Sequence, residues 1–142
     1  MESFNKEHLI EVPVVSDETG NLAFLQYPES CPFEIKRVFY MFSLPDGTHR
    51  GGHSHTLEDQ IIIAVAGRFT VSVHDGHEWR RYELDSPDKG LYVPAHLWRS
   101  LDEFSDRAVC LVLSSTLFDE NDYERDFQRF LYAIKSNHNG GY

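Results

Sequence analysis

Turn chemistry recurs along most of this chain at roughly the 8–12-residue spacing of an all-β domain. Asp17-Glu18-Thr19-Gly20-Asn21, Leu44-Pro45-Asp46-Gly47, Asp75-Gly76 and Ser86-Pro87-Asp88-Lys89-Gly90 each combine a residue that presets φ or caps its own backbone with one that tolerates φ > 0, and Pro28 to Pro32 is a loop bounded by prolines. The segments between them read as strands. Arg68 to His74 alternates Phe69, Val71 and Val73 with polar partners, and Ile61 to Val65 is a β-branched apolar run suited to a buried strand. No helical period appears before residue 119. From there to about 135, Tyr123, Phe127, Phe130, Leu131 and Ile134 fall at helical spacing behind an acidic start, so one C-terminal helix over 119–135 is expected, with a frayed tail at 137–142. The fold class this predicts is all-β, an antiparallel sandwich or barrel closed by a short helix.

The 142 residues, 41% hydrophobic, suffice for one domain over 1–142. The first 15 residues are mixed and polar, ending in an edge strand around Pro13. A formal net charge of −10 argues against nucleic acid or an anionic membrane as partner, leaving room for a small anion where arginines gather. Cys31 and Cys110 make no disulfide framework, no apolar run approaches the roughly 18 residues of a membrane span, and the N-terminus lacks a signal-peptide core. A cytoplasmic protein is expected.

Candidate chemistry centres on Arg50-Gly51-Gly52-His53-Ser54-His55. On a strand, His53 and His55 enter the same cavity. Gly47 stands six residues before His53, Gln60 five after His55, and Gly67 seven after Gln60. This spacing resembles the first motif of the cupin family, the jelly-roll sandwiches, except that Gln60 replaces the metal-binding glutamate. The second cupin motif maps onto Pro94 to Arg99, putting His96 in the glycine place and Arg99 in the place of the third histidine ligand. The set His53, His55, Gln60, Arg99 holds a guanidinium without a lone pair and a neutral amide, so no metal and no cofactor are expected. His96 would face away from Arg99 along the strand. Arg99 would instead keep both histidines neutral and stabilise an oxyanion, which is equipment for proton transfer beside a carbonyl, as in keto-sugar isomerases and epimerases.

A closer resemblance joins this stretch to Phe33-Glu34-Ile35-Lys36-Arg37-Val38-Phe39-Tyr40, Ser86-Pro87-Asp88-Lys89-Gly90-Leu91, Trp98 and Asp119-Glu120-Asn121-Asp122-Tyr123. Together they are similar to the dTDP-4-oxo-6-deoxyglucose 3,4-ketoisomerases from about residue 16 to 131. Phe39 and Phe118 stand where that family carries tyrosine, Ser54 where it carries alanine, and Gly52 where a larger residue is common. The resemblance implies a metal-free isomerase acting on dTDP-4-oxo-6-deoxyglucose in deoxy- and amino-sugar biosynthesis. It also implies a homodimer, often exchanging the N-terminal strand at about residues 1–15. His53 and His55 would be base and proton shuttle in an order left open. Tyr40 and Arg99 complete the catalytic set, and Arg50, Arg37, Gln60 and Trp98 form the substrate-binding set, although Trp98 also reads as core. Two rivals stay open, a metal-dependent cupin and a non-catalytic nucleotide-sugar-binding cupin. The related 3,5-epimerases would be marked by a histidine–aspartate pair, which the His-x-His strand does not contain.

Overall fold

The computed structural model describes residues 6–140. Ten strands make two five-stranded antiparallel sheets. One runs β1 (His8–Glu11), β9 (Lys89–Val93), β6 (Gln60–Ala66), β11 (Val109–Ser114), β4 (Arg37–Met41); the other runs β12 (Tyr123–Glu124), β5 (Arg50–His55), β10 (Trp98–Asp102), β7 (Phe69–His74), β8 (Trp79–Leu84). A separate hairpin, β2 (Val14–Asp17) and β3 (Gly20–Ala23), stands apart, and α1 (Phe127–Gly140) ends the described chain. This is the antiparallel cupin sandwich with one C-terminal helix.

The unbroken apolar run of β6 has a physical reason: both its faces are covered. Ile62 and Ala64 join Phe69, Val71, Val73, Leu91, Leu101 and Val112 in the main core. Ile61 and Ile63 face the other way and pack with Val12, Cys31, Phe33, Tyr92 and Leu113. That second layer corrects the reading of residues 33–43 as one strand. Only Arg37–Met41 pairs in the sheet; Phe33 and Ile35 are spent on the outer cluster.

Residues 119–135 also depart from expectation. Asp119 caps a 3-10 turn over Glu120–Asp122, accepting a hydrogen bond from Asn121 N, and β12 follows before α1 begins at Phe127. The acidic start was not helix-dipole chemistry. Asp122 is taken up by backbone N–H groups of the loop after β5, and the chain cannot hold a helix while making those bonds. Phe127 and Phe130 do form the apolar face of α1, packing on Trp98. Helical backbone extends to Gly140, so 137–140 is not the frayed end expected; Gly141 and Tyr142 lie outside the described residues.

The N-terminal strand is docked on its own chain, with Leu9 opposite Leu91 and Glu11 opposite Lys89; Met1 to Asn5 of the expected exchange segment lie outside the described residues. A buried carboxylate fastens it. Glu7 is 2% exposed and accepts from Arg80 Nε at 2.5 Å, Arg80 Nη2 at 2.9 Å and Tyr82 Oη at 2.7 Å. Burial alone would raise its pKa, but the bonds from Arg80 and Tyr82 outweigh burial and leave it lowered. Replacing Glu7 with glutamine should cost about 2 kcal/mol, or roughly 6 °C in melting temperature. A lowered carboxylate pKa contributes stability that is full above the usual range and lost as pH falls through the folded value. The gap between wild type and variant should therefore be full at pH 7 and close below about pH 4, as thermal melts across that range would report.

Candidate active site

The cavity is lined by residues of both sheets and encloses about 250 Å³. Its wall is built by parity. On β4, Phe39 and Met41 face in, while Val38 and Tyr40 face out. This corrects the assignment of Tyr40: it is 61% exposed, 5.9 Å from the ring of Phe42, and absent from the cavity wall. Phe39 holds the inward position.

On β5 the two glycines create an irregularity. Gly51 and Gly52 have φ of 79° and 74°, and the pairing with β10 jumps from Arg99–His53 to Ser100–Gly51, so Gly52 is an extra, bulged residue. A Cβ on Gly51 would sit 3.1 Å from the Arg99 carbonyl oxygen, which makes side-chain-free backbone a condition of the close approach. Beyond the bulge, normal alternation sends His53 and His55 to the same side. His53 lines the cavity; His55, 0% exposed, lies behind it. Their ring centroids are 4.8 Å apart and nearly perpendicular, and Tyr123 packs on both at 4.7 Å and 4.3 Å.

Asp122, which sequence reasoning placed at a helix start, completes the pair. Its Oδ1 accepts from Thr56 N, Thr56 Oγ1 and Leu57 N at 3.1, 2.7 and 2.8 Å, and its Oδ2 from Glu58 N at 3.1 Å. Burial raises its pKa, but these bonds and His55 outweigh it, so the carboxylate stays ionised. Its Oδ2 lies 3.1 Å from His55 Nδ1. An ionised carboxylate only accepts, so His55 carries its proton on Nδ1 and leaves Nε2 as the basic nitrogen. The His-x-His strand itself supplies no aspartate, as expected, but His55 gains one from Asp122, 67 residues further along the chain. The signal was available: the match of Asp119 to Tyr123 to an isomerase motif marked that run as site, not helix cap.

Arg99 is 1% exposed, its side chain the largest of the fully buried ones among the described residues. Nη1 donates to Gln60 Oε1 at 2.9 Å and Nη2 to the Leu97 carbonyl at 3.0 Å. Gln60 in turn donates to Glu58 Oε2 at 2.6 Å, which also accepts from Arg37 Nη2 at 2.9 Å. Gln60 thus lines the cavity and aims Arg99. Arg37 supports Glu58 from behind and lies 5.3 Å from the Phe39 ring, off the cavity wall. Trp98 is 7% exposed under α1, a core residue and not a substrate contact. Arg50 reaches the cavity, and so does Arg125, which the sequence reading passed over as part of a charged helix. His96 takes φ 73° in the glycine place of the motif and is exposed, away from the cavity.

Burial and then the Arg99 charge push the His53 pKa down to about 4; burial, Arg99 and His53 lower that of His55 against the pull of Asp122. Burial brings Arg99 down to about 10, still charged at neutral pH. Both imidazoles are neutral at pH 7. Among the described residues, His53 Nδ1, His55 Nε2 and Arg99 Nε are buried without a hydrogen-bond partner, which is what a site awaiting a polar ligand presents. The donors do not suit a metal ion. Arg99 donates to Gln60, the third member of the motif set. The cluster of His55, Glu58 and Asp122, within 4.8 Å of one another, has its carboxylates already committed to N–H donors and the Arg37 guanidinium.

The depressed His53 pKa has a measurable consequence. Below pH 6.5 an unfolded chain binds this proton and the folded one does not, so stability falls as pH drops from about 6.5 toward 4, by about 3 kcal/mol. Urea unfolding should show that component missing in His53→Gln.

The class this defines is an antiparallel cupin sandwich with two neutral imidazoles and a buried guanidinium at one cavity. A family model described as FdtA: WxcM-like, C-terminal matches residues 5–135. The chain belongs to that family. It is 35% identical over 130 residues, 91% of this chain and 94% of the relative, to a TDP-4-oxo-6-deoxy-alpha-D-glucose-3,4-oxoisomerase of Aneurinibacillus thermoaerophilus. Among solved structures it matches a variant of the QdtA 3,4-ketoisomerase of Thermoanaerobacterium thermosaccharolyticum in complex with TDP-4-keto-6-deoxyglucose, with TM-score 0.89, 30% identity and coverage of 95% of this chain and 97% of the other. It also matches the WlaRB TDP-quinovose 3,4-ketoisomerase of Campylobacter jejuni, with TM-score 0.86, 32% identity and coverage of 91% and 99%.

Proposed function

We propose that this chain is a sugar-nucleotide 3,4-ketoisomerase, moving the keto group of a TDP-linked 4-oxo-6-deoxyhexose from C-4 to C-3. The observation that carries the reading is the pairing of His53 at the cavity wall with His55 behind it, both neutral beside the buried Arg99. In the reaction, the base takes the C-3 proton and the C–H electrons form the C-3/C-4 double bond of an enediolate, with charge on O-4. The proton of the C-3 hydroxyl passes to O-4, and protonation at C-4 leaves the carbonyl at C-3. His53, nearest the cavity, is the carbon base and returns the proton at C-4. His55, its tautomer set by Asp122, moves the proton between the two oxygens. Arg99, aimed by Gln60, stabilises the enediolate.

A ketone at C-3 is an electrophile for amination, which suits a role in supplying deoxy- and amino-sugars to glycans such as a lipopolysaccharide O-antigen. The working form is a homodimer. Exposed Val14, Val15 and Leu22 on the β2–β3 hairpin, Val38, Tyr40 and Phe42 along the β4 edge, and an apolar groove of about 350 Å³ between them favour it. No helix among the described residues is long and apolar enough to cross a membrane, and two free buried thiols suit the reducing cytoplasm as its location. Incubating the protein with TDP-4-oxo-6-deoxyglucose and following the sugar by proton NMR tests the activity. Appearance of the 3-oxo isomer supports it, and an unchanged spectrum at high protein concentration refutes it.

A further inference from the structure

Glu58, on the loop between β5 and β6, is 1% exposed and absent from the cavity wall, yet it touches both halves of the machinery behind that wall. Its backbone N–H donates to Asp122 Oδ2 at 3.1 Å, the oxygen that also meets His55 Nδ1. Its side-chain Oε2 accepts from Gln60 Nε2 at 2.6 Å and from Arg37 Nη2 at 2.9 Å, and its Oε1 from Thr116 Oγ1 at 3.3 Å. Arg37 is held in turn, Nη1 donating to the Thr116 carbonyl at 3.0 Å. The Gln60 amide has two ends of opposite character. Arg99 offers only donors and the Glu58 carboxylate only accepts, so a single orientation satisfies both: Oε1 to Arg99 Nη1 at 2.9 Å and Nε2 to Glu58. Turned over, the amide would set N–H against guanidinium and carbonyl against carboxylate. All three residues are buried, so water is not at hand to relieve that clash. With Nη1 and Nη2 held by Gln60 and the Leu97 carbonyl, Nε is the Arg99 nitrogen left without a partner among the described residues.

We propose that Glu58 is a positioning residue that locks the Gln60 amide in one orientation and through it holds Arg99 where the enediolate charge forms. This rests on the ketoisomerase reading. Without the lock, the amide is free to turn, Arg99 loses the acceptor on Nη1, and the guanidinium has to be re-aimed during the reaction instead of before it. The Glu58 charge works in the same direction: burial lowers the Arg99 pKa, and Glu58 is the largest influence opposing that fall. Lock and charge are separable. Glutamine at 58 keeps an oxygen for Gln60 and Arg37 without the charge, whereas methionine fills the same space with neither.

Steady-state kinetics of the full chain on TDP-4-oxo-6-deoxyglucose, alongside calorimetric titration with TDP, tests this. Glu58→Met should lower kcat by about ten-fold while KM and TDP affinity stay within about two-fold of wild type. Glu58→Gln should recover kcat to within about three-fold of wild type. In a Gln60→Ala background, Glu58→Met should cost less than about two-fold more, because the lock has nothing left to hold. Unchanged kcat in Glu58→Met, a Glu58→Gln as slow as Glu58→Met, or a further loss of about ten-fold on top of Gln60→Ala would each overturn it. Should Glu58→Met melt early, Glu58→Ala, which admits water, is read by the same outcomes. A wild type without activity refutes the ketoisomerase reading itself, whereas an active wild type matched by Glu58→Met refutes only the lock.

Discussion

Replacing His53 with alanine is expected to lower turnover of TDP-4-oxo-6-deoxyglucose by about 10³-fold or more while the protein stays folded. His53 is the imidazole on the cavity wall, and a neutral nitrogen near pH 7 is what carbon-proton abstraction requires. Its loss should not cost stability in acid. The residue faces an open cavity, so truncation leaves no sealed void. The folded state also resists protonating it, with a pKa near 4, so its removal abolishes a penalty that wild type carries below about pH 6.5. The variant should therefore unfold at higher urea than wild type at pH 5, and bind TDP normally. If it turned over substrate within ten-fold of wild type, His53 would not be the base.

Asp122→Asn should lower kcat by about 10²-fold with TDP affinity unchanged. An amide in place of the carboxylate offers an acceptor or a donor to His55 Nδ1, so the tautomer that points the basic Nε2 away from Asp122 is no longer enforced. The amide oxygen can still accept from Thr56 and Leu57, so the loop after β5 should persist and the melting temperature fall by only a few degrees. A purely structural role for Asp122 predicts instead that affinity, stability and kcat decline together. A kcat loss alone, with the acid limb of its pH profile displaced, is the signature of a positioning carboxylate.

Local chemistry made the sandwich legible. Turn residues and strand alternation gave β7, the β7–β8 hairpin and β6, and the His-x-His spacing located the cavity with Gln60 and Arg99 in it. What stayed hidden depended on partners far along the chain. The covered outer face of β6 turned Phe33 and Ile35 from strand residues into a packing layer. Tyr40 was chosen by motif and not by parity; alternation from Phe39 puts it outside. Asp122 imitated a helix start because its bonding partners, Thr56 to Glu58, lie more than sixty residues earlier. Arg125 read as a solvated helix charge because nothing local reveals that β12 carries it to the cavity mouth.

Neutral imidazoles and a guanidinium are expected to perform the enolisation without a metal ion. Protein stripped with chelator, then mixed with TDP-4-oxo-6-deoxyglucose in D2O and followed by NMR, tests this most directly. The 3-oxo isomer is expected to accumulate at the untreated rate, C-4 carrying deuterium only to the extent that the proton held on His53 exchanges with solvent before it is returned. Loss of activity on chelation, restored by adding back a divalent metal, would contradict it.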